Sequence, residues 1–384
     1  MSRTPYIEHI EVRLFSIPVE PPRGDAMQKF SAQELPTVWI TDANGLTGMG
    51  FGYTIGSGGS TIKHFIEHEL SPRLIGKDAS NPVELNDFLI KSVHALTPGC
   101  IASVGFAAVD VALWDLAAKR AHLPLYKLLG GAKSKVLAYN THVGWLNRPL
   151  DELISKCDEA VRKDGFKALK LKVGKPTAEE DIERVGKVRK KVGPGVQLMV
   201  DANQSWTLAE AGQRARTLEP YDIVWLEEPL AATNVEQYAQ LKDRTIIPLA
   251  GGESIYDIQQ FFQYAKQNAF GVMQPDVARI GGITNAMRVC HLAQCAGLDV
   301  SPHVSPELSV TVALAVSNSM FIEFIPQTEP ILKQPINMAD GYALPYDADG
   351  HGIEFDQEAM SKFEITDSSP KPASRKQNDK GQAA

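Results

Sequence analysis

From about residue 135 the chain repeats one unit, a short apolar run with an ionisable residue at or just past its end, followed by a helical stretch. The runs fall at 136–140, 168–172, 198–201, 224–227, 247–250, 272–276, 299–303 and 321–323. From Lys172 through Asp201, Glu227, Glu253, Asp276 and His303 to Glu323, each step is 20 to 29 residues, about one strand and one helix. Strand and helix alternating this often predict an α/β fold with a parallel sheet, and eight runs predict its closure into a TIM-like barrel. Thr177-x-x-Glu180 and Thr207-x-x-Glu210 spell capping boxes at helix starts, and Gly165 and Gly193 mark stops. In such a barrel the C-terminal strand ends form the mouth where active sites are built. The charged series therefore becomes a ring.

The first third reads differently. Residues 6–53 alternate as strands, Asp42-Ala-Asn-Gly45 is a hairpin signal, and helical periodicity runs through 61–95 and 104–120. A chain of 384 residues exceeds one ordinary core, so two units are expected. These are an N-terminal α+β domain over 1–130 and the barrel over 131–325. A segment over 326–365 follows, and the Ser-, Pro-, Lys- and Gln-rich tail over 366–384 is expected to be disordered.

Composition excludes several function classes. Thirty-nine basic against 46 acidic residues give a net charge of −7, which argues against a nucleic-acid surface and gives no reason for binding to an anionic membrane. The N-terminus has no apolar leader core, and no stretch reaches the roughly 18 apolar residues of a membrane span. The expected location is cytoplasmic. Cys100, Cys157, Cys290 and Cys295 show no C-x-x-C spacing; free buried thiols are expected.

Asp201, Glu227 and Glu253 come from successive strand ends and converge. Three crowded carboxylates repel one another and raise their pKa values unless a hard cation neutralises them, and an all-oxygen set favours Mg²⁺ or Mn²⁺ over zinc. Lys170 and Lys172, two apart on a strand, point to one face. On a buried strand that face is the barrel interior, where one lysine can bind a substrate carboxylate and depress the pKa of its neighbour into a usable base; on an edge strand both would be solvated. His303 and Asp276 end adjacent strands, as an acid/base dyad requires. Glu323 would either donate a hydrogen bond to substrate when protonated or accept one from the protein.

In order and type, Lys170-Leu-Lys172, Val200-Asp-Ala-Asn203, Trp225-Leu-Glu-Glu-Pro229, Ala250-Gly-Gly-Glu253, Gln274-Pro-Asp276, Arg279-Ile-Gly-Gly282 and Ser301-Pro-His303 resemble the mandelate racemase subgroup of the enolase superfamily. The resemblance implies a (β/α)₇β barrel, an N-terminal α+β cap completed by the C-terminal segment, and one Mg²⁺ held by Asp201, Glu227 and Glu253. It places Lys172 and the His303–Asp276 dyad on opposite sides of the substrate carbon. Lys170 would steady the carboxylate and tune Lys172, Glu323 would be the hydrogen-bond donor, and Glu228 would stand behind the ligands. Asn203 and Asn140 are the expected substrate-binding amides. The family also suggests a homo-oligomer, a dimer or an octamer.

This implies removal of the proton next to a carboxylate through an enediolate. The polar cap segment 21–29, the Gly56–Gly59 loop and Tyr139-Asn-Thr-His142 favour a hydroxyl-rich small-molecule acid. The expected activity is therefore dehydration of an aldonate or aldarate to a 2-keto-3-deoxy acid, similar to talarate/galactarate-type dehydratases. A mandelate-like 2-hydroxyacid racemase or epimerase is the alternative if the cap pocket is apolar. A non-catalytic sugar-acid-binding barrel, or a phosphate site at Gly281-Gly282, are readings of another kind.

Overall fold

The early alternation becomes a three-stranded antiparallel sheet, β1 (Ile7–Gly24), β2 (Lys29–Asp42) and β3 (Thr47–Phe51), in the computed structural model, which describes residues 4–366. Asp42 Oδ1 accepts the backbone N–H groups of Asn44 and Leu46 at 2.8 and 3.1 Å, and Gly45 takes φ 80°, so the predicted hairpin is closed by its own side chain. Helix Cys100–Arg120 lies directly on this sheet. A Cβ at Gly50 would stand 2.2 Å from Ala108 O, so only glycine permits that approach. This helix corrects one expectation, because it is long and apolar enough to cross a membrane; 78% of its apolar window is buried inside the protein. It is a core helix, packed with Val38, Ile40 and Ile62.

The predicted barrel forms from β4 (Val136–Asn140), β5 (Ala168–Lys172), β6 (Gln197–Asp201), β7 (Ile223–Glu227), β8 (Leu249–Gly251), β9 (Val272–Met273), β10 (Asp299–Val300) and β11 (Phe321–Phe324). Neighbours pair in parallel from β4 through β10, and β11 pairs back onto β4. The last gap is closed by a bridge between Val300 and Ser319. A helix connects each strand to the next, giving (β/α)₇β. After β11, the hairpin β12 (Met338–Ala339) and β13 (Tyr342–Ala343) pairs with the start of β4. The chain then returns to the first sheet, where Arg13 pairs with Glu364 at 2.6 Å.

Side chains alternate along each strand, which builds the interior in layers. Tyr139, Ala168, Met199, Trp225 and Phe321 fill one buried layer, with Tyr139 and Trp225 edge to face at 5.3 Å. Two residues further along, the same inward positions carry Lys170, Asp201, Glu227 and Glu323. The aromatic layer is thus the floor of the charged one.

Other expectations need correction in detail. Only Cys157 and Cys290 are buried; Cys100 and Cys295, at the two ends of their helices, are exposed. Thr177 and Glu180 complete a capping box, whereas at Thr207 only the half accepting from Glu210 N is present. At the Gly281-Gly282 turn an acid of the protein itself stands where an anion was one expectation. Asp110 from the cap fills the following helix start, accepting from Thr284 N at 2.9 Å and Thr284 Oγ1 at 2.6 Å. Beyond Thr366, the tail expected to be disordered lies outside the described residues.

Candidate active site

Asp201, Glu227 and Glu253 each bring one oxygen to within 4.8 Å of the others. Two ligands on opposite sides of a Mg²⁺ ion are about 4 Å apart, so slight rotation lets these three share one ion. The donor chemistry fits a hard divalent cation. Burial pushes Glu227 up to about 7 even beside Lys170, and the crowding of Asp201 and Glu323 adds to the effect. Glu253 goes the other way. Burial raises it, but His303 and Arg279 face it and hold it well below the usual range, so the expected rise in pKa is found at Glu227 and not at Glu253.

The trio is flanked in strand order by the two candidate bases. On the β5 side, Lys172 Nζ is paired with Asp201. Beyond β8, His303 Nε2 lies 2.7 Å from Glu253 Oε2, while its Nδ1 is 2.7 Å from Asp276 Oδ2. Asp276 fixes Nδ1–H as the donor, so Nε2 is the atom presented to the trio. Burial disfavours the imidazolium, yet Glu253 and Glu323 push His303 up to about 10.

Both lysines are interior, which removes the edge-strand alternative; Lys170 is 0% exposed. Its Nζ lies 2.5 Å from Glu227 Oε1, 2.8 Å from Glu323 Oε1 and 3.6 Å from Asp201 Oδ2. Lys172 is not a lysine of depressed pKa. Burial, the largest single effect, and Lys170 lower it, as expected, but Asp201 together with Glu253 and Glu227 outweighs them and raises it. Glu323 also differs from the proton-donor expectation. Burial favours its neutral form, but Lys170 and His303 hold it at about 2, and Oε2 accepts Val304 N–H at 3.1 Å. Its Oε1 is an ion-pair partner of Lys170 in a poor hydrogen-bonding orientation, leaving that atom without a donor.

Glu228 stands behind the ligands. Burial pushes it up to about 8, and it accepts Gln204 Nε2 at 2.8 Å. Asn203 borders the cavity, and its N–H donates to Asp201 Oδ1 at 2.8 Å. Asn140 does not reach this cavity; its Oδ1 accepts Val143 N–H at 3.2 Å and shapes the loop after β4.

The cavity above the trio has a volume of about 390 Å³. Lys172, Asn203, Glu253, Arg279 and His303 line its floor, and Gln204, Ser254, Trp145, Ile325 and Gln327 its sides. The cap supplies Asp25, Met27, Gln28, Phe30, Tyr53 and Ile55. The 21–29 segment therefore reaches the site as expected, while Gly56–Gly59 does not line it. Tyr53 and Arg279 were not singled out as site residues in the sequence. No periodicity marks them, since one follows a cap strand and the other sits in the turn after Asp276.

The backbone is strained around the ring. Val304 and Ser305, directly after His303, have φ 42° and 43°, and Asn203, Gln204 and Glu228 also have positive φ. A β-branched residue there is an outlier, of the kind found at functional sites.

A capped barrel with an acidic trio between a lysine and a histidine defines an enzyme-type scaffold for carboxylate chemistry. The chain belongs to the mandelate racemase/muconate lactonizing enzyme family: its N-terminal domain profile matches residues 9–130 and the enolase C-terminal domain-like profile matches 152–359. The chain is 31% identical to L-talarate/galactarate dehydratase of Salmonella typhimurium, covering 94% of this chain and 92% of that protein. It is 32% identical to 3,6-anhydro-alpha-L-galactonate cycloisomerase of Streptomyces coelicolor, over 94% and 99%. The crystal structure of L-talarate dehydratase from Polaromonas sp. JS666, complexed with Mg and L-glucarate, superposes with TM-score 0.89 at 33% identity, covering 94% of this chain and 98% of that one.

Proposed function

We propose that this protein is a Mg²⁺-dependent acid-sugar dehydratase, converting a hydroxylated carboxylate to its 2-keto-3-deoxy acid. One observation carries the reading: the acidic trio lies, in strand order, between Lys172 on one side and the His303–Asp276 dyad on the other, beneath a cavity of about 390 Å³. A metal ion bound by Asp201, Glu227 and Glu253 would act as a Lewis acid on the substrate carboxylate, stabilising the charge that grows there. Lys170 does not line the cavity; fully buried on Glu227 and Glu323, it adds a fixed positive charge beneath it. Lys172, once neutral, takes the proton from the carbon next to the carboxylate, leaving its electron pair in the enediolate. His303 then delivers a proton from Nε2 to the β-hydroxyl, which departs as water while the electron pair forms the C–C double bond. The resulting enol tautomerises to the keto acid.

Asp25, Gln28, Gln204, Ser254 and Gln327 suit hydroxyl groups, and Met27, Phe30, Ile55, Trp145 and Ile325 form an apolar counterpart in the same wall. Its cations among the described residues, Lys172, Arg279 and His303, all belong to the barrel, and the cap contributes an acid, Asp25, that faces Lys172. We therefore assign an aldonate in preference to an aldarate. Proton NMR of the Mg²⁺-loaded protein in D₂O with pooled aldonates and aldarates tests this. Loss of an α-proton signal with a new 3-deoxy methylene supports dehydration; exchange or epimer formation without dehydration would instead establish a racemase or epimerase.

A further inference from the structure

Tyr53 belongs to the cap, yet its hydroxyl ends on the barrel's acid/base dyad. It is 3% exposed, and Oη donates to Asp276 Oδ2 at 2.5 Å. The same oxygen receives His303 Nδ1 at 2.7 Å. Asp276 Oδ1 accepts Ala278 N–H at 2.8 Å and Arg279 N–H at 3.1 Å. Both oxygens therefore carry two donors.

A competitor stands close by. Arg279 Nε lies 3.8 Å from Asp276 Oδ2. Its Nη1 is held on Glu253, 3.2 Å from Oε1 and 3.1 Å from the backbone O, and its Cζ is 5.6 Å from the centre of the Tyr53 ring. A guanidinium forms a stronger pair with a carboxylate than a neutral donor does. Without the phenol hydroxyl, nothing else in this contact set occupies the second donor position on Oδ2, and Arg279 can close on it and turn Asp276 away from His303.

We infer that Tyr53 is a positioning residue for the His303–Asp276 dyad: the cap hydroxyl holds Asp276 on His303 and keeps Arg279 Nε off the same carboxylate oxygen. The inference rests on the proposed role of His303 as the group that protonates the leaving hydroxyl. Its consequence is specific to one half-reaction. α-Proton removal by Lys172 does not pass through Asp276, whereas loss of the β-hydroxyl does.

Tyr53→Phe separates the two steps. For the Mg²⁺-loaded enzyme in D₂O with its aldonate, the ratio of α-proton exchange to dehydration should rise at least about tenfold, because losing an aligned acid costs on the order of 10² or more in its own step. KM should change little. General destabilisation lowers both rates together and leaves the ratio fixed, and a direct substrate contact raises KM; either result overturns the inference. A second readout needs no turnover. The His303 Nδ1 proton resonance, assigned with His303→Gln, should shift or broaden in Tyr53→Phe, and an unchanged resonance would equally overturn it. If the wild type neither exchanges nor dehydrates any sugar acid, the dehydratase reading fails, and the resonance still decides the contact.

Discussion

Lys170 Nζ lies 2.8 Å from Glu323 Oε1 at the centre of the barrel mouth, and neither side chain is exposed. Lys170 is also the counter-charge for Glu227 and lies 3.6 Å from Asp201, so it compensates acids on three strands at once. Removing one partner of a buried ion pair costs about 3–5 kcal/mol. Lys170→Met should therefore lose about that much stability in urea unfolding with EDTA present, and recover part of it on adding Mg²⁺, which would restore positive charge beside Glu227. Wild-type stability in EDTA would show that the ammonium has no structural role.

Metal dependence follows from the trio. A ligand at a hundred times its Kd stabilises a folded protein by about 2.7 kcal/mol, so Mg²⁺ should raise the Tm of the wild type measurably. Asp201→Asn should abolish that rise together with dehydration. A full Tm response in this variant would place the ion elsewhere.

Substrate length can be read at Asp25. Its carboxylate accepts Met27 N–H and Gln28 N–H, both at 2.8 Å, on the cap side of the cavity. Burial raises the Asp25 pKa and Lys172 opposes that rise; in its ionised form Asp25 repels a second substrate carboxylate. kcat/KM for an aldonate should exceed that for the matching aldarate by about tenfold or more, roughly 1.4 kcal/mol, and Asp25→Asn should narrow the gap. Preference for the aldarate by the wild type would reject the assignment.

A pH test lies away from the metal. Burial pushes Asp110 up to about 7, against the lowering effect of its bonds to Thr284 and Asn86. An acid whose folded pKa is raised holds its proton more tightly in the folded state. Its contribution is complete below the unfolded value near 4 and is lost as pH rises through about 7. Stability measured by urea unfolding should fall between pH 4 and 7, and Asp110→Asn should flatten that slope. An identical slope in the variant would exclude Asp110 as its source.

Much of this was legible in the sequence because its signals are local and periodic. The barrel runs fell within a few residues of the observed strands, and the K-x-K spacing placed both lysines on one face by strand parity, which the burial of that strand makes the interior. What escaped depends on distances between remote segments. Lys172 meets Asp201, so its pKa rises when a neighbouring lysine alone predicts a fall. Glu323 is ionised because Lys170 and His303 converge on it from other strands. Asn140 sits at a strand end like the site residues, but its side chain turns to the following loop. Tyr53 carries no local mark, since its significance comes from a residue 223 positions away.

The hydroxyl that crosses from cap to barrel also bears on how such proteins diversify. Were the two units independent, grafting a relative's cap would exchange substrate preference and leave the chemistry alone. With Tyr53 anchored on Asp276, a graft also alters how the histidine is held. Chimeras should inherit the donor's selectivity at undiminished turnover only when position 53 remains tyrosine, so this single contact limits how modular the two halves can be.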